Sequence, residues 1–156
     1  KVAGTEVGVT EPKAAFSACF GAPFLALHPT KYATILGKKM DEHESRAYLV
    51  NTGWSGGGYG VGKRMSLKAT RAIIDAIFSG DLDTAACETM PLFGLQYPTS
   101  VPGVDSKILN PRATWADPDA YDTAANKLAL MFIEAFKGFT ATEEGKRLGA
   151  VGPQPE

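Results

Sequence analysis

Ala47-Tyr-Leu-Val-Asn-Thr52, then Gly53-Trp-Ser-Gly-Gly-Gly-Tyr-Gly-Val-Gly62 and Lys63-Arg64, then Ser66 through Gly80, form the stretch that decides the fold. The first run is short, apolar and bounded by turn-formers, the pattern of a buried strand. The second holds too many glycines for a regular element, because glycine loses the most conformational freedom on ordering. In the third, Ser66 is placed to cap a helix that carries Ile74, Ile77 and Phe78 and stops at Gly80. Strand, glycine loop and helix in that order predict a mixed α/β architecture.

The same stretch carries the chemistry. Gly57 to Lys63 fills the first seven positions of the phosphate-cradling pattern G-x-x-x-x-G-K. The eighth position needs a Ser or Thr hydroxyl to hold Mg²⁺. Here it is Arg64, whose charge would repel the metal, so a working phosphate loop at these residues is rejected. Two readings survive. A flexible loop followed by Lys63 and Arg64 near a helix N-terminus suits an anionic or nucleotide ligand. A glycine-rich surface loop with two solvated cations has the same pattern.

Working outward, residues 1–15 read as a loop. The segment 16–27 is apolar but broken by Gly21 and Pro23, and reads as a short strand and a buried turn. Residues 30–43 place Ala33, Ile35, Leu36 and Met40 at helical spacing. From 81 to 118 the chain is punctuated by five prolines, from Pro91 to Pro118, and reads as a long extended connection that is functional or wraps another part. Asp117-Pro118 opens the longest helix, with Tyr121, Ala125, Leu128, Phe132 and Phe136 as its apolar face and Gly138 closing it. Thr142-Glu-Glu144 starts a last short helix, and 153–156 reads as a frayed tail.

Composition limits the function classes. Of 156 residues 44% are hydrophobic and 21% charged, as in a globular protein able to bury a core. Sixteen basic against seventeen acidic residues leave a net charge of −1, without the basic footprint that nucleic acid requires. No apolar run approaches the ~18 residues of a membrane helix. Two cysteines are too few for a disulfide scaffold, and Cys19 in its apolar setting reads as a buried thiol. The start, Lys1-Val-Ala-Gly-Thr-Glu6, has neither a signal pattern nor an initiator Met, which points to a trimmed or excised product of cytoplasmic origin. His28 and His43 are isolated and read as structural, so no metal ligands are assigned in this chain. Asp75 reads as a helix-face partner of Arg71, while Arg112 stays open between an ion pair and a docking contact.

A family resemblance joins these pieces. Thr10-Glu-Pro12, Phe16-Ser-Ala-Cys-Phe-Gly-Ala22, Leu27-His-Pro-Thr30, Tyr48-Leu-Val-Asn-Thr-Gly-Trp54, Gly62-Lys-Arg64 and Thr70-Arg-Ala-Ile-Ile-Asp75 stand in that order. Pro102-Gly-Val-Asp105, Lys107-Ile-Leu109 and Pro111-Arg112 follow. Together, over residues 4–152, they resemble the C-terminal stretch of ATP-dependent phosphoenolpyruvate carboxykinases. The resemblance implies that 1–156 is part of the C-terminal, mononucleotide-binding domain of a longer α/β enzyme with a mixed sheet. That enzyme converts oxaloacetate and ATP to phosphoenolpyruvate, CO₂ and ADP, a lyase step in gluconeogenesis. It further implies ATP contacts at Arg64, Met65 and Thr70, to which the local pattern adds Lys63. Mg²⁺ and Mn²⁺, the phosphate loop and the oxaloacetate-binding residues are expected in the remaining N-terminal part, so the isolated chain is expected to be inactive. No nucleic-acid or membrane partner is expected. The alternative is a stand-alone, non-catalytic nucleotide-binding or interaction module. For the loop 55–61, a lid and a mere insertion both remain open.

Overall fold

A computed structural model describes residues 7–12, 14–16 and 21–155, in two compact units. One unit comprises 1–48 with 131–152, the other 49–130 with 153–156.

In the first unit α1 spans Pro29–Glu42, close to the predicted 30–43. Pro29 supplies a preset φ at the first helical position. His28 precedes it as the cap, its Nδ1 lying 2.8 Å from Thr30 Oγ1 and accepting the Thr30 N–H at 3.4 Å. The last helix, α5, spans Glu143–Ala150, with Thr142 Oγ1 accepting the Gly145 N–H at 3.0 Å. Lys31 reaches Glu144 at 2.9 Å and ties α1 to α5, an exposed pair worth at most ~1 kcal/mol. Phe139 is the aromatic hub, with the rings of Phe16, His28 and Phe136 centred 5.5–5.8 Å away. Gly145 is buried against it: a Cβ there would lie 1.8 Å from the Phe139 carbonyl oxygen, so no larger residue fits. Of the short strand and buried turn expected at 16–27, the turn is present but is not buried, and the strand falls mostly on residues outside those described. Ala22–Phe24 is a 3₁₀ turn, and Phe24 is 88% exposed. Its Pro23 cannot donate to a ladder, which favours the turn. Residues 17–20, and with them Cys19, lie outside the described residues.

The second unit begins with a correction. Residues 47–52 form no strand, and Leu49 is 85% exposed. A strand exists by pairing its backbone in a ladder, and among the described residues no strand ladder includes 47–52. Pairing starts one step later. β1 (Trp54–Ser55) and β2 (Lys63–Arg64) form an antiparallel ribbon, so the two ends of the glycine segment are ordered by each other. α2 (Leu67–Ser79) follows, with Ser66 Oγ accepting the Ala69 N–H at 3.1 Å and Gly80 closing it at φ +81°, as predicted.

The proline-punctuated stretch is more structured than expected. β3 (Cys87–Thr89) and β4 (Gln96–Pro98) form a second antiparallel ribbon, closed by Met90 N–H donating to Leu95 O at 2.7 Å. α3 (Pro111–Thr114) and 3₁₀ turns at Asp81–Asp83 and Ser106–Leu109 fill most of the rest. Its prolines sit where no ladder donor is lost: Pro98 ends β4, while Pro111 and Pro118 open helices. α4 spans Pro118–Phe136, capped by Asp117 Oδ1, which accepts the N–H groups of Asp119 and Ala120 at 2.9 and 3.3 Å. Its buried positions are Ala125 and Ala129, whereas Leu128 and Phe132, expected on the inner face, are 45% and 47% exposed. The tail is also corrected, because Gln154 N–H donates to Leu92 O at 2.6 Å.

Helices and small antiparallel sheets together give the mixed α/β class expected. Among the described residues the buried apolar side chains are all small (Ala76, Val101, Ala125 and Ala129), and none of the large ones is fully buried. No described helix is long and apolar enough to cross a membrane.

Candidate functional site

The ribbon β1–β2 is closed by a glycine turn in which Gly57 and Gly62 leave no room for a side chain. Val61 and Gly62 both donate their N–H to Gly58 O, at 3.1 and 2.8 Å. A Cβ on Gly62 would stand 2.2 Å from the Gly57 carbonyl oxygen. Gly56, at φ +81°, donates its N–H to Thr114 Oγ1 at 3.1 Å and so fastens the turn to α3. These amides serve the turn itself, and the loop runs into a strand before any helix begins. A phosphate cradle needs the opposite arrangement, converging N–H donors that lead straight into a helix. The geometry therefore agrees with rejecting a phosphate loop here, on grounds independent of Arg64.

What the ribbon presents is cations and aromatic rings. Strand residues alternate between faces, and directly opposed residues share one. Arg64 is paired with Trp54 and Lys63 with Ser55, so Arg64 and Lys63 project from opposite faces. The Trp54 ring meets Tyr59 edge-on, 5.8 Å between centroids at 82°, and the two residues are 49% and 54% exposed. Lys63 and Arg64 are both exposed, and neither side chain makes a hydrogen bond or ion pair with the described residues. The half-buried Met65 extends the ribbon by donating its N–H to Gly53 O at 3.0 Å. One turn into α2, half-buried Thr70 donates its hydroxyl to Ser66 O at 3.1 Å. Arg64, Met65 and Thr70 thus follow one another around a single strand-to-helix corner, and Lys63 turns away from Arg64. The expected Arg71–Asp75 pair is not among the ion pairs of the described residues.

A second polar region went unread in the sequence. A cleft of about 440 Å³ lies between the β3–β4 ribbon and the first turns of α4. Glu88 and Tyr97 are cross-strand partners, and the Tyr97 hydroxyl donates to Glu88 Oε2 at 2.5 Å while accepting from Asn110 Nδ2 at 3.1 Å. Arg112 grips Asp122 bidentately, Nε to Oδ1 and Nη2 to Oδ2 both at 2.9 Å, which settles its role as an ion-pair partner. The bond from Arg112 holds the Asp122 carboxyl below its usual range, and the bond to Glu88 pushes the Tyr97 phenol up. Burial raises the Tyr121 phenol as well. Asn126 Nδ2 donates to Asp122 O at 3.2 Å, while its Oδ1 is buried with no hydrogen-bond partner. The Glu88–Tyr97, Tyr97–Asn110 and Arg112–Asp122 partners are nine to thirteen residues apart, beyond the reach of local pattern, and of these five residues the sequence points only to Arg112. Among the described residues no group of three or more His, Cys, Asp or Glu side chains could hold a metal ion.

Comparison with known proteins adds what geometry alone does not. Residues 1–107 match the family model described as phosphoenolpyruvate carboxykinase. A phosphoenolpyruvate carboxykinase (ATP) of Campylobacter jejuni is 54% identical over 154 residues, 99% of this chain and 29% of that protein. The protein of the same name from Campylobacter lari is 56% identical over 153 residues, 98% of this chain and 29% of its own. The chain thus spans less than a third of the length of the curated relatives it matches. The chain belongs to the phosphoenolpyruvate carboxykinase family.

Proposed function

We propose that residues 1–156 supply the adenine side of the nucleotide site in the C-terminal domain of an ATP-dependent phosphoenolpyruvate carboxykinase. The observation that carries this is 54–56% identity, over nearly the whole chain, to proteins named for that ATP-dependent activity. The reaction is a cytoplasmic lyase step of gluconeogenesis, converting oxaloacetate and ATP to phosphoenolpyruvate, CO₂ and ADP. The remaining length of the enzyme is the partner this chain requires. Exposed apolar side chains such as Leu49, Leu67 and Phe78, at 73–85%, are surfaces that this remainder would cover.

Each residue at the corner has a chemical task. Arg64 offers an unpartnered planar donor fork to phosphate or ribose oxygens. Met65 offers a polarisable wall to the base. Thr70 has its hydroxyl proton engaged at Ser66 O, so its remaining capacity is as an acceptor, the match for an exocyclic amine such as that of adenine. Lys63, on the other face, adds charge to the surroundings without sharing Arg64's contact. Mg²⁺ and Mn²⁺ assist the reaction in this family, but the described residues form no cluster fit to hold them, and no metal-dependent step is assigned here.

Oxaloacetate- and ATP-dependent formation of phosphoenolpyruvate, assayed with both ions present in enzyme that contains this chain, tests the proposal. Product formation that falls when Arg64 is replaced by Ala supports it. Turnover in which ATP consumption is indifferent to Arg64 overturns the placement of the nucleotide.

A further inference from the structure

We infer that Trp54 forms an aromatic wall of the nucleotide site, stacking on the base that Arg64 and Thr70 help to hold. The inference deepens the reading of the ribbon as a nucleotide site and rests on it. It starts from register. Trp54 stands directly opposite Arg64 in a two-stranded ribbon, and opposed residues project from the same face with Cβ atoms about 5 Å apart. Any planar ligand brought to that face by the Arg64 guanidinium meets the indole next.

The ring is available for such a contact. Trp54 is 49% exposed although tryptophan is among the most strongly buried side chains on average. Among the described residues its aromatic partner is Tyr59, which meets it edge-on at 82°. An edge-to-face neighbour steadies the indole while leaving at least one of its faces uncovered. Glycines flank the pair at 53, 56, 57, 58, 60 and 62, so apart from Val61 the turn carries no other large side chain beside the two rings. The turn is nevertheless held, by Gly62 N–H on Gly58 O at 2.8 Å and by Gly56 N–H on Thr114 Oγ1 at 3.1 Å. An exposed indole on an anchored turn, beside a cation without a partner, is the arrangement that recognises a base attached to phosphates. It also gives the 55–61 segment a role: the glycines present the two rings, which are the only large polarisable surface on that turn.

The test uses the enzyme that contains this chain, carrying Trp115→Phe, with the Trp54 signal taken as the difference in emission between that enzyme and its Trp54→Phe variant. ATP and inorganic tripolyphosphate are titrated, with emission read at Trp54 and binding measured separately by equilibrium dialysis. ATP is expected to quench Trp54 emission and tripolyphosphate is not, because stacking needs the base. Trp54→Leu should weaken ATP binding about 5- to 100-fold, the range of one base–aromatic stack, and leave tripolyphosphate binding unaffected. Trp54→Phe should restore most of the affinity, which separates stacking from loss of folding. ATP that binds with unchanged Trp54 emission, and equally to Trp54→Leu, overturns the inference while the Arg64 assignment stands. ATP binding indifferent to both Trp54→Leu and Arg64→Ala, or no ATP binding at all, overturns the underlying reading together with it.

Discussion

The two polar regions of the second unit hold similar chemistry in opposite states. In the cleft beside α4, Arg112 is clasped by Asp122 and Tyr97 is shared between Glu88 and Asn110. On the glycine ribbon, Lys63 and Arg64 have no partner among the described residues, and Trp54 shows half its surface. A guanidinium held bidentately by a carboxylate has its donors and its charge satisfied within the fold, so it orders α3 against α4 and offers little to a ligand. One without a partner keeps its full capacity for an anion from outside. The contrast teaches that a charged residue's function is read from what it does not touch. The cleft is concave, yet the ribbon is the better candidate for nucleotide.

Several substitutions can break or sharpen this contrast. The largest effect is expected at Gly62→Ala, where the new Cβ would stand 2.2 Å from a backbone oxygen and force the turn to open. Urea titration should register a loss of about 2–3 kcal/mol, the scale of overpacking. Gly58→Ala in the same turn meets nothing within 4 Å and should stay close to the parent, and equal losses at both sites would contradict the account. Next comes Ser66→Ala, which removes the cap at the start of α2 and should cost about 1 kcal/mol of stability, with a smaller loss of ATP affinity than Arg64→Ala. Lys63→Ala should reduce ATP affinity less than Arg64→Ala, because the two residues face opposite ways; matching losses would mean that β2 does not keep its register in the assembled enzyme.

The smallest effect belongs to the cleft and appears as a pH dependence. Asp122 has its pKa lowered in the fold by the bond from Arg112, from an ordinary value of 3.8. Its contribution to stability is therefore fully present above about pH 4 and is lost as the pH falls through the depressed folded value. Asp122→Asn should flatten the acid limb of the stability profile slightly while leaving ATP binding intact. An unchanged acid limb would show that the pair adds nothing measurable.

Local signals were legible in the sequence and partner choice was not. Ser66, Asp117 and Thr142 each cap the helix they were expected to open, because a cap is decided within three residues. Gly80 ends α2 for the same reason. The run 47–52 has strand composition, but a strand is made by its ladder, and no ladder among the described residues includes this run. The β3–β4 ribbon was hidden by the prolines around it, since a proline at the end of a strand looks in sequence like one that prevents it. On α4 the mistake lay in choosing a face. The helix is apolar almost all round from Ala124 to Phe132, so 3.6-residue spacing fits more than one stripe, and the buried one runs through Ala125 and Ala129. At the site, Arg64, Met65 and Thr70 could be named because they are nearly contiguous. That Lys63 and Arg64 diverge, and that Trp54 accompanies Arg64, became visible only once β2 and its register were known.

Measuring ATP affinity by equilibrium dialysis for the parent, Arg64→Ala and Asp122→Ala tests the central claim most directly. The account predicts about a 10- to 100-fold loss for Arg64→Ala, the scale of a charge-assisted hydrogen bond, and parent-like affinity for Asp122→Ala. Parent-like affinity in Arg64→Ala, or the larger loss in Asp122→Ala, would place the nucleotide away from the ribbon and contradict it.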